Sequence, residues 1–214
     1  MMEYLSTAAD RTGSKSLGLA SDEIRVEFLR KGIHLLIAFV PGIAHLSLGL
    51  AMGLLSGGVL FYAACERLRV EGYYVPVISR VTALAARKRD GRRFVLGPIT
   101  LGLGALLALL FYPNPAASIA IYALAFGDGL SSLVGKAFGN IRLPFTGGKS
   151  LEGSLTCMLA VFTASVALTG DAKRSFIVAL AAMLVEAAPT GDFDNIILPV
   201  AVGALAALVF RVPV

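Results

Sequence analysis

Asp128 stands in the run Ala125-Phe126-Gly127-Asp128-Gly129-Leu130-Ser131-Ser132, a single acid inside an otherwise apolar stretch. An ionised side chain at the centre of a membrane helix costs roughly 2.5–3.5 kcal/mol on insertion scales, so such a residue faces a cavity and a partner. The chemistry open to it is metal binding or proton handling. The plainer alternative is an interfacial Asp that caps a helix break between Gly127 and Gly129. The loop that follows carries Gly135, Gly139, Gly147 and Gly148 among Lys136, Arg142 and Lys149. Glycines let backbone amides approach a polyanion and the cations supply charge, although an ordinary flexible loop has the same composition. Lys149-Ser150 looks like the end of a P-loop, but the first glycine of that motif would fall on Leu143 and no strand precedes it. Farther on, Glu186-Ala-Ala-Pro-Thr-Gly-Asp-Phe-Asp-Asn195 gathers the carboxylates of Glu186, Asp192 and Asp194 beside Asn195. Hard oxygen ligands of this kind suit Mg²⁺ bound together with substrate phosphates; the alternative is a solvated turn.

Other polar residues are less specific. The basic run from Arg87 to Arg93, with Arg89 at its middle, reads as positive-inside anchoring against anionic headgroups or as a grip on nucleotide phosphates. Gly97-Pro98 is a kink signal, with Thr100 placed to bond back to the backbone. Glu27, Arg30, Lys31 and His34 recur at spacings of three and four, so they share one helix face. His34 could act there or be merely interfacial, and His45 is incidental. Cys65 and Cys157 lie in or beside apolar runs, read as packing residues, and set no disulfide framework.

What must position these groups is set by composition. The chain has 214 residues, 57% hydrophobic and 15% charged, with a mean hydropathy of +0.78, whereas a soluble domain carries about 25% charged residues. Apolar runs near the ~20 residues that span a bilayer recur throughout. The expectation is an all-α polytopic membrane protein of about seven transmembrane helices. They fall at 33–46 (with a kink at Pro41-Gly42), 47–65, 94–112, 116–134, 153–168, 175–188 and 196–210. Residues 1–22 are expected to be mobile, and 23–214 to form one integral domain without a repeat. The N-terminus lacks the basic-then-apolar pattern of a signal peptide, so the first span is expected to act as its own insertion signal.

Sidedness follows from the basic residues. With the N-terminus inside, the cytoplasmic segments hold five Lys and Arg before the first span, eight from Arg67 to Arg93 and three from Lys136 to Lys149, sixteen of nineteen. The positive-inside rule then places the N-terminus in the cytoplasm and the C-terminus outside. Glu27–His34, Arg89–Thr100, Asp128–Glu152 and Glu186–Asn195 all fall on the cytoplasmic side. The net charge of +5 therefore speaks for membrane orientation and gives no reason to expect a nucleic acid partner.

The spacing of these residues resembles the dolichol kinase and phytol kinase family of integral membrane lipid kinases, which includes CTP-dependent diacylglycerol kinases. That family's pattern begins with Asp, has a small residue three on, then two glycines at four-residue intervals. After eight residues comes Lys-Lys-Thr-x-Glu-Gly. Here the matching positions are Asp128, Ser131, Gly135, Gly139, then Gly148-Lys149-Ser150-Leu151-Glu152-Gly153. The departures are Ser131 for Ala, Gly148 for the first Lys and Ser150 for Thr. Further family-like elements are Glu27…Arg30-Lys31…His34, Asp90-Gly91, Gly97-Pro98…Thr100 and Glu186…Asp194-Asn195.

The resemblance implies a kinase that transfers the γ-phosphoryl of CTP, or of another nucleoside triphosphate, to a membrane lipid alcohol such as phytol, a polyprenol or diacylglycerol. It implies catalytic roles for Asp128, Lys149 and Glu152. Nucleotide would be held by Ser131, Gly135, Gly139, Gly148, Lys149, Ser150, Arg89, Asp194 and Asn195. Glu27, Arg30, Lys31, His34 and Thr100 would meet the substrate headgroup, and Asp128, Glu152, Glu186 and Asp192 would bind Mg²⁺. The alternatives are a phosphatidate cytidylyltransferase, which attacks the α-phosphate of CTP, and a small transporter. A transporter would show paired half-helices and internal repeats. Spans rich in Ala, Leu and Val choose neither the alcohol nor an oligomeric state.

Overall fold

The computed structural model describes residues 26–76, 78–85 and 94–210; the N-terminal segment 1–22, Arg89 and Asp90-Gly91 lie outside them. Helix α1 covers residues 26–35 and passes through a 3₁₀ turn, Leu36–Phe39, into α2, Val40–Leu46. Pro41 cannot donate to a carbonyl in the preceding turn, and the tightened turn sits where that bond is missing. The expected break at Pro41-Gly42 is thus a change of helix type just before the proline.

Helix α3 is Leu48–Val70, capped by Ser47, whose hydroxyl accepts from Leu50 N at 3.3 Å. It runs five residues beyond the expected Cys65. The extra turn is stable because Arg67 and Arg69 suit the negative helix end and pair with Glu71 and Glu66. A short helix, α4 (Ile78–Ala85), interrupts what the sequence reads as a polar connection. Helix α5 is Gly97–Phe111, with Pro98 in its first turn, where a missing N–H costs nothing. Next come α6 (Ala116–Tyr122), a π-helical stretch Ala123–Asp128 and α7 (Gly129–Phe138), one continuous rod. Helix α8 is Leu151–Thr169, capped by Ser150 and closed by Gly170 at φ 70°, where a left-handed residue ends the helix. Helix α9 is Ala172–Ala187, capped by Asp171, and α10 is Asp194–Val209.

Three of these helices, Leu48–Val70, Ala116–Phe138 and Leu151–Thr169, are long and apolar enough to cross a membrane. The rod Ala116–Phe138 is the central one. Ile119, Ile121 and Leu124 on it are wholly buried. On one side it packs with α8, α9 and α10 through Cys157, Val161, Val178 and Val202. On the other it packs with α2, α3 and α5 through Val40, Ala51, Leu101 and Ala105. Both cysteines are buried and unpaired, as packing residues should be. The outer faces stay greasy: Leu60, Leu159 and Leu184 are more than half exposed. Such a surface suits a hydrocarbon solvent rather than water.

Small residues set the closest approaches. A side chain on Gly104 would strike the Asn195 carbonyl of α10, and one on Gly203 the Tyr112 ring. Tyr112 in turn donates its hydroxyl to Val200 O at 2.8 Å. These contacts bring the start of α10, with Asp194 and Asn195, against the start of α5.

Candidate active site

The π-helical stretch ends on Asp128, and the wider turn alters which backbone carbonyls are used within the rod. The carbonyl of Leu124 accepts from His34 Nε2 at 2.8 Å. The same nitrogen lies 3.3 Å from Asp128 Oδ2, and Lys31 Nζ lies 2.5 Å from that oxygen. Lys31, His34 and Asp128 are all nearly inaccessible. A carboxylate is tolerated at such depth only when paired and hydrogen-bonded. Helix α1 supplies both partners from one face, at the spacing of three seen in the sequence.

One turn away on α1, Glu27 is also buried, with Arg30 on Oε1 and Lys136 of α7 on Oε2 at 2.5 Å. Burial pushes the Glu27 carboxyl up, but the charges and hydrogen bonds of Arg30 and Lys136 outweigh it and hold the group below its ordinary range. The face Glu27–Arg30–Lys31–His34 therefore clamps both ends of the segment from Asp128 to Lys136.

Residues 140–150 form a narrow hairpin, with Leu143 N on Lys149 O and Leu151 N on Ile141 O, both at 2.9 Å. Gly147 and Gly148 turn it in the left-handed region, at φ 70° and 96°. The glycines divide by role. A side chain on Gly139 would collide with Gly135 O and Ser150, and one on Gly153 would lie 2.7 Å from Ser131 O. Gly139 and Gly153 thus let α7 and α8 touch, and Gly135, Gly147, Gly148 and Gly153 border the cavity described next, whereas Gly139 does not.

Lys149 Nζ is held by Glu186, through its carbonyl and through Oε1 at 2.9 Å. Ser131 and Ser154 donate to the same carboxylate at 3.2 and 3.3 Å, and Ser131 also donates to Asp128 O at 3.1 Å. Beside this knot opens a cavity of about 220 Å³, bordered among others by Arg30, Lys136, Arg142, Lys149, Glu27 and Glu186. Arg142 donates to Gly148 O at 2.8 Å, which stiffens the hairpin wall.

Other expected residues take different places. Glu152 accepts from Asn140 N and Ile141 N at 2.9 and 3.2 Å, so its carboxylate braces the foot of the hairpin. Asn195 donates to Thr100 Oγ1 at 2.9 Å, and Thr100 donates to Gly97 O. Those two residues join α10 to α5. Asp194 lies within electrostatic range of Asp128, Lys31 and Lys149. Among the described residues, no three of His, Cys, Asp and Glu converge to hold a metal ion. Of the expected metal set, Asp128, Glu152 and Glu186 have described side chains, and the side chain of Asp192 lies outside the described residues. Mg²⁺ is commonly bound by one or two carboxylates completed by substrate phosphates, a donor set that the carboxylates of Asp128, Glu186 and Asp194 could supply in part.

Two polar groups carry no obvious sequence signal. Ser154 reaches Glu186 from the first turn of α8. Glu66, wholly buried at the end of α3, receives two bonds from Arg69 at 2.7 Å and one from Val95 N at 2.8 Å. It fixes the approach to α5. The clue available was an acid three residues before an arginine at the end of an apolar run.

Neither a family model nor a solved structure matches this chain. Curated relatives do, and they bear the names farnesol kinase and phytol kinase. The chain is 32% identical over 126 residues to farnesol kinase, chloroplastic, of Arabidopsis thaliana, covering 51% of this chain and 41% of that protein. It is 30% identical over 172 residues to a probable phytol kinase, chloroplastic, of Triticum aestivum (71% and 57%). With phytol kinase 1, chloroplastic, of Arabidopsis thaliana, identity is 26% over 153 residues (63% and 50%). The chain spans about half the length of these relatives.

Proposed function

We propose that this chain is an integral membrane lipid-alcohol kinase, which moves the terminal phosphoryl group of a nucleoside triphosphate onto the hydroxyl of a prenol-type alcohol. The observation that carries this reading is the cation-lined cavity, whose wall residue Ser131 donates to the backbone carbonyl of buried Asp128. The names of the relatives support the same reaction class. CTP as donor rests on the resemblance of residues 128–153. The seven-span topology, with the site facing the cytoplasm, rests on the distribution of Lys and Arg.

In this reading the alcohol oxygen forms a bond to the γ-phosphorus while the bond from that phosphorus to the β–γ bridging oxygen breaks. A nucleoside diphosphate leaves, and the hydroxyl proton passes to Asp128, whose carboxylate is fixed by Lys31 and His34. Phosphoryl transfer of this kind asks mainly for positioning and charge neutralisation. Lys149, anchored on Glu186, would hold the triphosphate, with the amide of Gly148 close by. Mg²⁺, when bound with the phosphates, would add neutralising charge, held by Asp194. The alcohol's tail would lie between helices in the bilayer, its hydroxyl meeting the nucleotide at the interface.

The test is label transfer in mixed micelles with Mg²⁺ and CTP labelled at the γ or the α position, offering farnesol, phytol, diacylglycerol and phosphatidate separately. Label from the γ position in an alcohol phosphate supports the kinase. Label solely from the α position, in a phosphatidate product, identifies a cytidylyltransferase instead.

A further inference from the structure

Four cations border the cavity, Arg30, Lys136, Arg142 and Lys149, against two carboxylates, Glu27 and Glu186. Lys149 and Arg142 belong to the hairpin side and are anchored by Glu186 and by Gly148 O. Among the described residues Arg30 and Lys136 share one counter-ion, each on a different oxygen of Glu27. Two positive groups on one buried carboxylate leave a positive excess. Arg30 Nε, moreover, is buried with no hydrogen-bond partner among the described residues. An orphaned buried N–H is rare and calls for an acceptor. The Lys136 side chain is still 47% exposed, so it can turn toward a ligand in the cavity without breaking a packed wall.

We infer that Arg30 and Lys136 form a second phosphate subsite in this cavity, and that Glu27 is the internal counter-ion with which the phosphate competes. The inference rests on the nucleotide reading above and deepens it. A phosphate group offers several acceptor oxygens to a guanidinium and an ammonium side by side, which a single carboxylate already carrying both cannot match. Hairpin and α1 thereby grip the triphosphate from two separate elements, and bound nucleotide ties α1 to α7 and α8. The alternative is a closed ion-pair cluster whose only task is to hold α1 against α7.

The two readings differ in sign at Glu27. Binding of Mg·CTP and of tripolyphosphate, which lacks a base, would be measured on the whole chain in detergent micelles, with phosphatidate micelles as a separate arm. Lys136→Met should weaken both soluble ligands about tenfold, the scale of one charge-assisted contact, and Lys136→Arg should restore most of it. Glu27→Gln should tighten both by several-fold, because the competing charge is gone while an acceptor remains. Unchanged binding in Lys136→Met, or weakening in a Glu27→Gln protein that still unfolds in one cooperative transition above the assay temperature, overturns the subsite. So does a Lys136→Met defect confined to phosphatidate, which would assign these cations to a lipid phosphate. If the wild-type chain binds neither soluble ligand, it is the nucleotide reading that fails.

Discussion

Lys31 and Asp128 lie 97 positions apart in the chain, and their charged atoms meet at 2.5 Å with 4% of each side chain exposed. The pair joins α1 to the π-helical turn of the central rod and fixes the acid around which the proposed reaction is built. His34 completes it at 3.3 Å.

Removing one member should therefore cost more than removing both. Lys31→Met strands a buried carboxylate, a loss of about 3–5 kcal/mol, whereas Lys31→Met with Asp128→Asn should recover much of the melting temperature. Thermal unfolding of the single and double variants in detergent checks this. Equal losses in both would mean that the pair is not coupled.

The two classes of glycine should separate cleanly. Gly139→Ala drives a methyl group into Gly135 O and Ser150, and a collision of this kind costs about 1–3 kcal/mol. Gly49 in α3 faces open space, so Gly49→Ala should be neutral or stabilising by up to about 1 kcal/mol. Melting temperatures of the two variants, measured side by side, decide it. A destabilised Gly49→Ala would place an unseen neighbour on that face.

Glu152 distinguishes bracing from metal binding. Its carboxylate holds the Asn140 and Ile141 amides, and a glutamine keeps an acceptor oxygen for them. Glu152→Gln should retain most of kcat with KM raised several-fold, while Glu152→Ala should loosen the hairpin and raise KM further. Loss of kcat by about a hundredfold in Glu152→Gln would instead support the metal-ligand role that the family resemblance implies.

The Glu27 cluster carries a pH signature. Its folded value lies below the ordinary 4.5, so its stabilisation is fully present above the unfolded value and is lost as pH falls through the folded one. The stability difference between wild type and Glu27→Gln should be flat from pH 8 down to about pH 5, then shrink on further acidification. A difference that changes between pH 6 and 8 would mean another group controls the cluster.

Much of the helix pattern was legible because apolar runs end at residues with plain signals. Ser47, Ser150 and Asp171 cap helices, Gly170 closes one, and Pro98 opens one. The extension of α3 to Val70 and the extra helix Ile78–Ala85 were hidden, because short-range ion pairs and local packing outweighed polar composition there. Asp128 and Lys149 stood out in sequence by their unlike surroundings, and Ser131 only through its place in the family-like pattern. Nothing in local sequence reveals that Lys31 meets Asp128, since the pairing is made by α1 lying along the rod. The π-helical turn likewise has no sequence signal here. The glycine pattern is open between a phosphate cradle and an ordinary loop, and that Gly139 also lets α7 and α8 touch is disclosed only by the crossing of those helices.

The most direct measurement is single-turnover transfer from γ-labelled CTP to farnesol or phytol by wild-type and Asp128→Asn protein, with Lys149→Met in parallel. Asparagine keeps the shape but leaves Lys31 without its counter-ion, so the Asp128 variant should melt lower. Assayed below its own melting temperature, it should still bind nucleotide while transfer falls by about 10²–10⁴. Transfer by Asp128→Asn at the wild-type rate would contradict the assignment of Asp128 to the reacting hydroxyl, and with it the proposed mechanism.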